Sequence, residues 1–488
     1  MLELLLSSLS LTNLAVIAIG VVWGLVFGAI PGLTATLAVV VLIPITYGMG
    51  AVTGMSMLIG IYIGGVSGGM VASILVGMPG TPASIVTVFD GFPLAKQGLG
   101  RKALGVGIVS NTIGGLFGWL CLITIAPQIA RLALKLGAFE YSAIIIFGLT
   151  AVVSLSGKSL RKGFIMAAFG LLVATIGFDP TYGMPRNTFG ITFLRGGINP
   201  IPALIGLFVI SQVFLESERT FEQFLIPRPK KTRFYLTLSE FKASIFNYLR
   251  SGMIGVFSGI LPGIGGTLGA VVAYDQAKKS SSHPESFGEG NIQGLVASET
   301  ANNASLGGAL IPMLSLGIPG DAATAALLGG LMLHGLTPGP LLIRENPEIV
   351  YGVFSAYLIA TIAMFLVMTL GTRLFPVVLR IKKSVLLPLV LVAGIVGCFN
   401  LQYSFSDVWV ALLFGLFGFV LVKHEFSLMP IVISVVLGNM LEMNLRLALL
   451  TSRSGFLPFL TRPVALLFLI ASVFSVVFTL SKRGRGKA

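Results

Sequence analysis

The sequence predicts an all-α protein that crosses a membrane many times. Only 10% of its 488 residues are charged, whereas 55% are hydrophobic. Because a soluble protein carries about 25% charged residues, this composition excludes a water-soluble enzyme with a single membrane anchor. Mean hydropathy is +0.96 over the whole chain, so the apolar character is not confined to one segment. Backbone groups in hydrocarbon are satisfied within helices, and we therefore expect about 10–14 transmembrane helices.

The basic residues predict which segments face the cytoplasm. Lysine and arginine number 32 against 18 acidic residues, which gives a net charge of +14. In a membrane protein this excess marks cytoplasmic loops, so it does not indicate a nucleic-acid partner. The basic clusters within 158–162 and 380–383 are therefore placed in the cytoplasm, and the Gly/Pro-rich segment 179–199 outside. Both cysteines lie in apolar runs and indicate neither a disulfide framework nor a metal cluster.

One strongly charged segment divides the chain. Residues 216–250 combine many charged side chains with two prolines, and we interpret them as a cytoplasmic linker. The chain then consists of a first membrane repeat at 1–215, this linker, a second membrane repeat at 251–480 and a basic cytoplasmic tail at 481–488. The apolar run at 11–30 lacks a preceding basic segment and a cleavage site of small residues, so it predicts a retained helix.

Two Pro-Gly motifs occur in the same order in both halves. Pro31-Gly32 corresponds to Pro262-Gly263, 231 positions later. Gly-Met-Pro-Gly at 77–80 corresponds to Gly-Ile-Pro-Gly at 317–320, 240 positions later. Because each motif interrupts an apolar run, the pattern predicts two related repeats with Pro-Gly-broken or re-entrant segments.

The breaks suggest a binding site. A helix that starts after a break directs unpaired N–H groups and the positive end of its dipole towards one place, and hydroxyl side chains follow these breaks. In transporters, broken helices from two repeats form such anion sites near the membrane midplane. The alternative is that each Pro-Gly merely kinks or ends a helix. The predicted substrate-binding residues at the second pair of breaks are Pro79, Gly80, Thr81, Ser84, Gly317, Pro319, Gly320 and Thr324.

A polar cluster at residues 299–305 leads into the apolar run at 306–316. Such residues are costly in a membrane unless they face protein, water or a ligand, and the alternative is an aqueous loop. We predict that Asn302 and Asn303 bind substrate carboxylates and that Glu299 binds a coupling ion, Na⁺ or H⁺. Asp321 is a second candidate for this ion, although an acid at that position more often caps a helix. The remaining candidate ion ligands are the threonines that follow the first pair of breaks, Thr34, Thr36 and Thr267.

Signatures of catalysis are weak. Residues 65–68 match the GxSG pattern of intramembrane serine proteases, but such an enzyme needs a nearby histidine and the chain has only three. The sequence has no HExxH, CxxC or phosphate-binding loop, so we expect neither an enzyme nor an ATP-driven pump, and no cofactor.

Two groups of charged residues remain. We expect residues 90–102 to form a loop at the membrane surface. Glu442 and Arg446 stand four positions apart and should form a structural ion pair.

The same motifs resemble those of a known family. The matching stretches are residues 31–32, 77–84, 90–93, 100–104, 179–190, 206–208, 299–304, 307–312, 316–320, 334–340, 441–446 and 462–463. Together they resemble the large permease subunit (TctA) of the tripartite tricarboxylate transporters, over nearly the whole chain. Two positions depart from the family pattern: Gly77 stands where many members have an asparagine, and Gln212 where a glutamate is common.

The resemblance implies a secondary carrier in the bacterial inner membrane. It would take up carboxylates, such as the tricarboxylate citrate or dicarboxylates, together with Na⁺ or H⁺. It would work with a small four-helix membrane subunit and a periplasmic solute-binding protein. We therefore hypothesise a symporter whose Pro-Gly half-helices hold the substrate carboxylates. The competing hypotheses are a channel-like pore subunit and an intramembrane protease.

Overall fold

The fold is almost entirely helical, as the sequence predicts. The computed structural model describes residues 10–155, 159–179, 182–219, 233–263 and 265–485. Within these residues the only strands are β1 (Gly177–Phe178) and β2 (Pro185–Arg186), which pair antiparallel. Ten helices of the described part are long and apolar enough to cross a membrane, which confirms the prediction of an all-α polytopic membrane protein.

The helices of the first half run up to residue 217. They are α1 (Leu11–Ala29), α2 (Ala35–Thr46), α3 (Ala51–Leu75), α4 (Ile85–Leu94), α5 (Gly100–Ala133), α6 (Ala138–Leu155), α7 (Leu160–Ala174) and α8 (Pro200–Ser217). A 3₁₀ turn at Pro82–Ser84 precedes α4, and a π-helical turn at Ala95–Leu99 joins α4 to α5. A further 3₁₀ turn lies at Thr192–Gly196, and α8 contains a π-helical stretch at Ile205–Ile210.

The helices of the second half begin at residue 238. They are α9 (Leu238–Ile260), α10 (Gly265–Lys279), α11 (Ile292–Leu316), α12 (Ala322–Leu333), α13 (Pro340–Glu345), α14 (Pro347–Gly371), α15 (Phe375–Val378), α16 (Lys383–Gln402), α17 (Phe405–Lys423), α18 (Met429–Thr451), α19 (Pro458–Thr461) and α20 (Pro463–Arg485). A 3₁₀ turn at Pro284–Ser286 precedes α11. Parts of three predicted segments lie outside the described residues. They are residues 220–232 of the linker, Lys158 of the first basic cluster and residues 486–488 of the tail.

Two apolar helices are too short to cross a bilayer. Helices α2 and α12 have 12 residues each. At 1.5 Å per residue each is about 18 Å long, whereas the hydrocarbon core is about 30 Å thick. Both start shortly after a Pro-Gly break, so each is a half-helix.

Glycines allow the central helices to pack backbone against backbone. A Cβ atom on Gly28 of α1 would lie 2.0 Å from the carbonyl oxygen of Gly65 in α3. In the second half, a Cβ atom on Gly259 of α9 would lie 2.2 Å from the carbonyl oxygen of Ser305 in α11. Larger side chains at these crossings would push the helices apart, which explains part of the glycine excess.

The two halves are intertwined. The long helix α5 of the first half packs along α11 of the second half, and α14 of the second half packs along α3 of the first half. In the same reciprocal way, α7 packs on α18 and α17 packs on α8. Trp119 of α5 donates a hydrogen bond to the carbonyl oxygen of Phe354 in α14 at 2.9 Å. The helices of each half therefore bury their apolar surface on the other half.

The prediction of a surface loop at 90–102 is wrong. Helices α4 and α5 occupy this segment and meet at a kink, where Gly98 has a φ angle of 84°. Asp90 is only 1% exposed. Its Oδ1 atom accepts backbone N–H groups at 2.9, 2.9 and 2.7 Å from Gly288, Gly290 and Asn291. These tertiary hydrogen bonds hold the carboxylate inside the protein, and no local sequence pattern reveals them.

Candidate functional site

The Pro-Gly breaks share backbone conformations in matched pairs. Gly32 and Gly263 have φ angles of 91° and 82°. Gly77 and Gly317 have φ angles of 73° and 75°. Only glycine adopts these left-handed conformations at little cost, so the chain turns in the same way at corresponding places in the two halves.

Three of the four breaks are followed by a helix start with a side-chain cap. The Thr34 hydroxyl accepts the backbone N–H of Leu37 at 3.1 Å, which caps α2. Thr81 and Ser84 form a capping box before α4, and the Thr81 N–H donates to the Ser84 hydroxyl at 3.0 Å. Asp321 and Thr324 form the corresponding box at α12, where the Thr324 N–H donates to Asp321 Oδ1 at 2.7 Å.

These helix starts surround one cavity of about 370 Å³. Its wall combines the starts of four helices with residues from the central helices α3 and α11 and from the helices that follow. The lining residues are Thr34, Ala35, Thr36, Tyr62, Val66, Thr81, Pro82, Ala83, Leu207, Phe208, Gln212, Gly263, Gly265, Gly266, Thr267, Asn302, Ser305, Leu306, Asp321, Ala322, Ala323, Leu428 and Met429. Six of the predicted site residues therefore lie on a common wall.

The two halves contribute corresponding residues to this wall. Residues 62, 66, 81, 82 and 83 line the cavity together with residues 302, 306, 321, 322 and 323, each 240 positions later. Residues 34, 35 and 36 line it together with 265, 266 and 267, each 231 positions later. The offsets are those of the Pro-Gly motifs. This correspondence supports the internal duplication, which stays a prediction.

Asn302 is the most conspicuous polar group on the wall. Its side chain is 1% exposed, and neither its amide nitrogen nor its amide oxygen has a hydrogen-bond partner. A buried polar group without a partner costs about 1–3 kcal/mol. Proteins keep such groups where a ligand or water completes them, so Asn302 indicates a polar ligand in this cavity.

The carboxylate of Asp321, also on the wall, already has hydrogen-bond partners within the protein. Asp321 accepts the Thr324 N–H with Oδ1, and its Oδ2 accepts the Tyr62 hydroxyl at 2.7 Å. Asp321 therefore caps α12, and its second oxygen links the two halves through Tyr62. Among the described residues that line the cavity, Asp321 and Tyr62 are the ionisable ones, and none is a lysine, arginine or histidine. An anion bound here would depend on N–H groups, hydroxyls and the Asn302 amide.

Glu299 and Asn303 lie inside the protein but not on the cavity wall. Both belong to α11 and are fully buried, so the alternative of an aqueous loop is wrong. Asn303 Oδ1 accepts the Ser67 hydroxyl at 2.7 Å, and Asn303 Nδ2 donates to Asn111 Oδ1 at 2.6 Å. Glu299 Oε1 accepts the hydroxyl of Thr87 from α4.

The other predicted residues shape the backbone of the breaks rather than line the cavity. The Gly80 N–H donates to the carbonyl oxygen of Gly69 at 3.3 Å, and the Gly320 carbonyl oxygen accepts the Gly263 N–H at 2.8 Å. Gly317 ends α11 in the left-handed conformation. The predicted site residues outside the wall are Pro79, Gly80, Ser84, Glu299, Asn303, Gly317, Pro319, Gly320 and Thr324.

Sequence reasoning missed Tyr62 and gave Gln212 no role in the site. Tyr62 stands 240 positions before Asn302, so an extension of the repeat alignment into α3 would have found it. Gln212 Nε2 donates to the Gly32 carbonyl oxygen at 2.7 Å and thereby ties α8 to the first break. Next to it, the fully buried Glu216 accepts Lys383 at 2.5 Å.

A second cavity, of about 520 Å³, contains none of the predicted site residues. Arg186 and Glu442 on its wall form a bidentate pair at 2.6 and 2.8 Å. The hydrogen bond to Glu442 raises the pKa of Arg186. Glu442 also contacts Arg446 at 2.8 Å, as the spacing of four positions predicts. These partners indicate a structural ion-pair network.

The wall offers little support for catalysis or for a tightly held metal. Ser67 of the GxSG pattern is buried in α3, and its hydroxyl donates to Asn303. Among the described residues, no group of three or more histidine, cysteine, aspartate or glutamate side chains lies close enough together to hold a metal ion. An ion bound by the described residues would therefore have at most two such side chains among its ligands.

Comparison with known proteins decides the family. The model of the tripartite tricarboxylate transporter TctA family matches residues 14–433. The chain belongs to the TctA family. It is thus a subunit of a tripartite transporter, in a family of transporters rather than of enzymes, and such transporters include further subunits and a binding protein. The family agrees with the resemblance that the sequence motifs show.

Two curated relatives of this TctA protein come from Agrobacterium vitis. One, an uncharacterized 52.8 kDa protein in the TAR-I ttuC' 3' region, is 33% identical over 99% of this chain and 96% of its own length. The other, an uncharacterized protein in the TAR-II ttuC' 3' region, is 31% identical over 48% of this chain and 96% of its own length. No solved structure matches the chain.

Proposed function

We propose that this TctA protein is the permease subunit of a secondary-active carrier that takes up dicarboxylates or tricarboxylates with a coupling ion. Three facts support the proposal. The chain belongs to a family of tricarboxylate transporters. Four helix starts surround one cavity, and the cavity contains the unpartnered amide of Asn302. The unpartnered amide carries most weight, because it offers a donor and an acceptor to a polar ligand.

The chemistry of the wall suits a carboxylate. The oxygens of a carboxylate can accept the N–H groups that the caps leave at the helix starts, those of Ala35, Thr36 and Ala83, and the Asn302 amide can donate to them. The positive ends of the helix dipoles offset part of the negative charge. The volume of about 370 Å³ falls in the range of about 300–1,000 Å³ that is typical of small-molecule sites.

The corresponding wall residues suggest how the site is exposed to each side in turn. In transporters with two repeats, the binding site lies between the repeats and opens as one moves against the other. Here both repeats contribute to one cavity, and Tyr62 of the first contacts Asp321 of the second. We propose that substrate closes this cavity and that relative movement of the repeats reopens it on the other side.

The proposal includes the cellular setting that the family implies. The chain would lie in the bacterial inner membrane, with residues 216–250 and the basic tail in the cytoplasm. A periplasmic solute-binding protein would deliver the substrate, and a small four-helix membrane subunit would complete the complex. The lipid bilayer would cover the exposed apolar faces of the outer helices.

Counterflow in proteoliposomes tests this proposal. The chain is reconstituted with its small membrane subunit, the vesicles are loaded with an unlabelled carboxylate, and entry of a labelled one is measured. The panel contains tricarboxylates, dicarboxylates, monocarboxylates and their neutral amides. We expect saturable exchange of multivalent carboxylates and none of the amides. A conductance without saturable exchange would contradict the carrier and favour a channel, and exchange of the amides would contradict the site.

A further inference from the structure

A buried carboxyl group lies one helical turn from the cavity. Glu299 stands three residues before Asn302 on α11 and is fully buried. Its Oε1 atom accepts the Thr87 hydroxyl, whereas its Oε2 atom has no hydrogen-bond partner. The residue therefore keeps one unsatisfied oxygen in the interior of the protein, close to the substrate cavity but not on its wall.

The surroundings of Glu299 offer no positive charge. In the part of the chain that the structure describes, Glu299 forms no ion pair, and its polar neighbours Thr87, Asn111 and Asn303 are neutral. Of the basic residues on the adjacent helices, Lys102 contacts Glu240, Arg250 contacts Ser280 and Asn247, and Lys279 contacts Asp275. The others are exposed: Arg101, Arg131, Lys242, Lys278 and Arg344. The remaining titratable groups on the elements packed against α11 are Tyr62, Asp90, Cys121, Tyr248, Tyr274, Asp321, His334, Glu345 and Tyr357.

These titratable neighbours do not supply the missing charge. Asp90 and Asp321 are themselves acidic and accept hydrogen bonds from other partners. An ionised carboxylate that is buried without a counter-charge is unfavourable, and the group takes up a proton instead. The surroundings thus favour the neutral, protonated form of Glu299 in this state of the protein.

The same surroundings fit a proton better than Na⁺. A hard cation of this kind requires several oxygen ligands. The oxygen of Asn303 already accepts the Ser67 hydroxyl, and the oxygen of Asn111 already accepts the Asn303 amide. Besides Glu299 Oε2, the unpartnered side-chain oxygens described nearby on α11 are the Thr300 hydroxyl and Asn302 Oδ1. Adjacent residues of a helix face different directions, so Thr300 does not share a site with Glu299, and Asn302 lies on the cavity wall one turn away. These oxygens do not form a Na⁺ site, whereas a proton needs only one.

Glu299 is also positioned to respond to the substrate. Thr87 lies one turn after Ser84, the capping partner of Thr81 on the cavity wall. Asn302 lies one turn after Glu299 on α11. The hydrogen bond between Thr87 and Glu299 joins α4 of the first repeat to α11 of the second. Movement between the repeats would therefore break this contact and change the access of water to the carboxyl group.

We propose that Glu299 is the proton-binding group of a proton-coupled symport. This inference rests on the proposed carrier function and names its coupling ion. A proton from water on the outer side binds to the Glu299 carboxylate and forms an O–H bond there, which allows the neutral side chain to be buried. After the repeats have moved, the O–H bond breaks and the proton passes to water on the inner side.

The test compares exchange with accumulation in proteoliposomes that contain the chain and its small membrane subunit. Glu299→Gln keeps an oxygen that can accept the Thr87 hydroxyl but binds no proton. We expect its counterflow at equal pH to stay within about twofold of the natural protein. Accumulation driven by an imposed pH gradient, with no Na⁺ gradient, should fall at least about tenfold. Glu289→Gln, at an exposed glutamate, is the matched control and should keep both activities.

The outcomes separate this inference from the carrier function. If Glu299→Gln still accumulates substrate under a pH gradient, the inference is overturned and the carrier function is not affected. The same holds if the variant loses both counterflow and accumulation while its melting temperature is unchanged. Failure of the natural protein in counterflow would instead contradict the carrier itself. If the variant does not fold, substrate-dependent proton entry is measured for the natural protein with a pH-sensitive dye. Its absence at equal Na⁺ would overturn the inference.

Discussion

The unpartnered amide of Asn302 yields a prediction in which transport and stability respond differently. Asn302→Ala removes a group with no protein partner, so no intramolecular hydrogen bond is lost and the melting temperature should not fall. The neighbouring Asn303 is the matched control. Its amide bonds Ser67, Asn111 and the Glu299 carbonyl oxygen. Asn303→Ala leaves these buried partners unsatisfied and should lower the free energy of unfolding by about 2–4 kcal/mol.

The effect of Asn302→Ala on binding follows from the chemistry of the ligand. A hydrogen bond to a charged group contributes about 1.5–3 kcal/mol. Loss of this bond to a substrate carboxylate should therefore raise the half-saturating concentration about 10- to 150-fold. Counterflow at a series of substrate concentrations measures this shift, and thermal unfolding followed by size-exclusion chromatography measures stability. Unchanged half-saturation in Asn302→Ala, or equal destabilisation by both variants, would refute the assignment of Asn302 to the substrate.

Three further predictions concern the frame around the cavity. Gly28→Ala should abolish stable expression, because the added Cβ atom would lie 2.0 Å from the Gly65 carbonyl oxygen of α3. The control is Gly48→Ala, whose Cβ atom would meet nothing within 4 Å and which should behave like the natural protein. Tyr62→Phe removes the hydroxyl that Asp321 accepts at 2.7 Å; it should cost about 1.5–3 kcal/mol in thermal unfolding, and an unchanged melting temperature would contradict the contact. Glu216→Gln removes a fully buried carboxylate from its basic partners; it should cost up to about 3 kcal/mol, and a variant as stable as the natural protein would show that the pair is dispensable.

Much of the candidate site could be predicted from the sequence, because matched Pro-Gly motifs mark it. Thr34, Thr36 and Thr267 follow the first pair of breaks, and Thr81 and Asp321 follow the second. All five line the cavity, together with Asn302. Their common feature is local: each stands at or near the start of a helix that a Pro-Gly break creates, and helix starts are readable from short motifs.

The remainder depended on contacts between distant segments. Asn302 and Asn303 are adjacent in the sequence and chemically identical, yet one faces the cavity and the other bonds Ser67 and Asn111. Asp90 is charged, and such residues usually lie at the surface. It is nevertheless buried, because it accepts hydrogen bonds from residues 288–291, about 200 positions away. No local pattern distinguishes these cases.

By itself, then, the sequence determined a polytopic helical membrane protein, its family and the four places where helices break. Composition sets the solvent in which the chain can fold, and glycine and proline set where a helix stops, so both properties are local. Only the tertiary structure decided which polar atoms remain without partners. That depends on how α4 of the first half meets α11 of the second half. As a result, Asn302 lies on the cavity wall, and Glu299 lies one turn before it with an oxygen that has no hydrogen-bond partner.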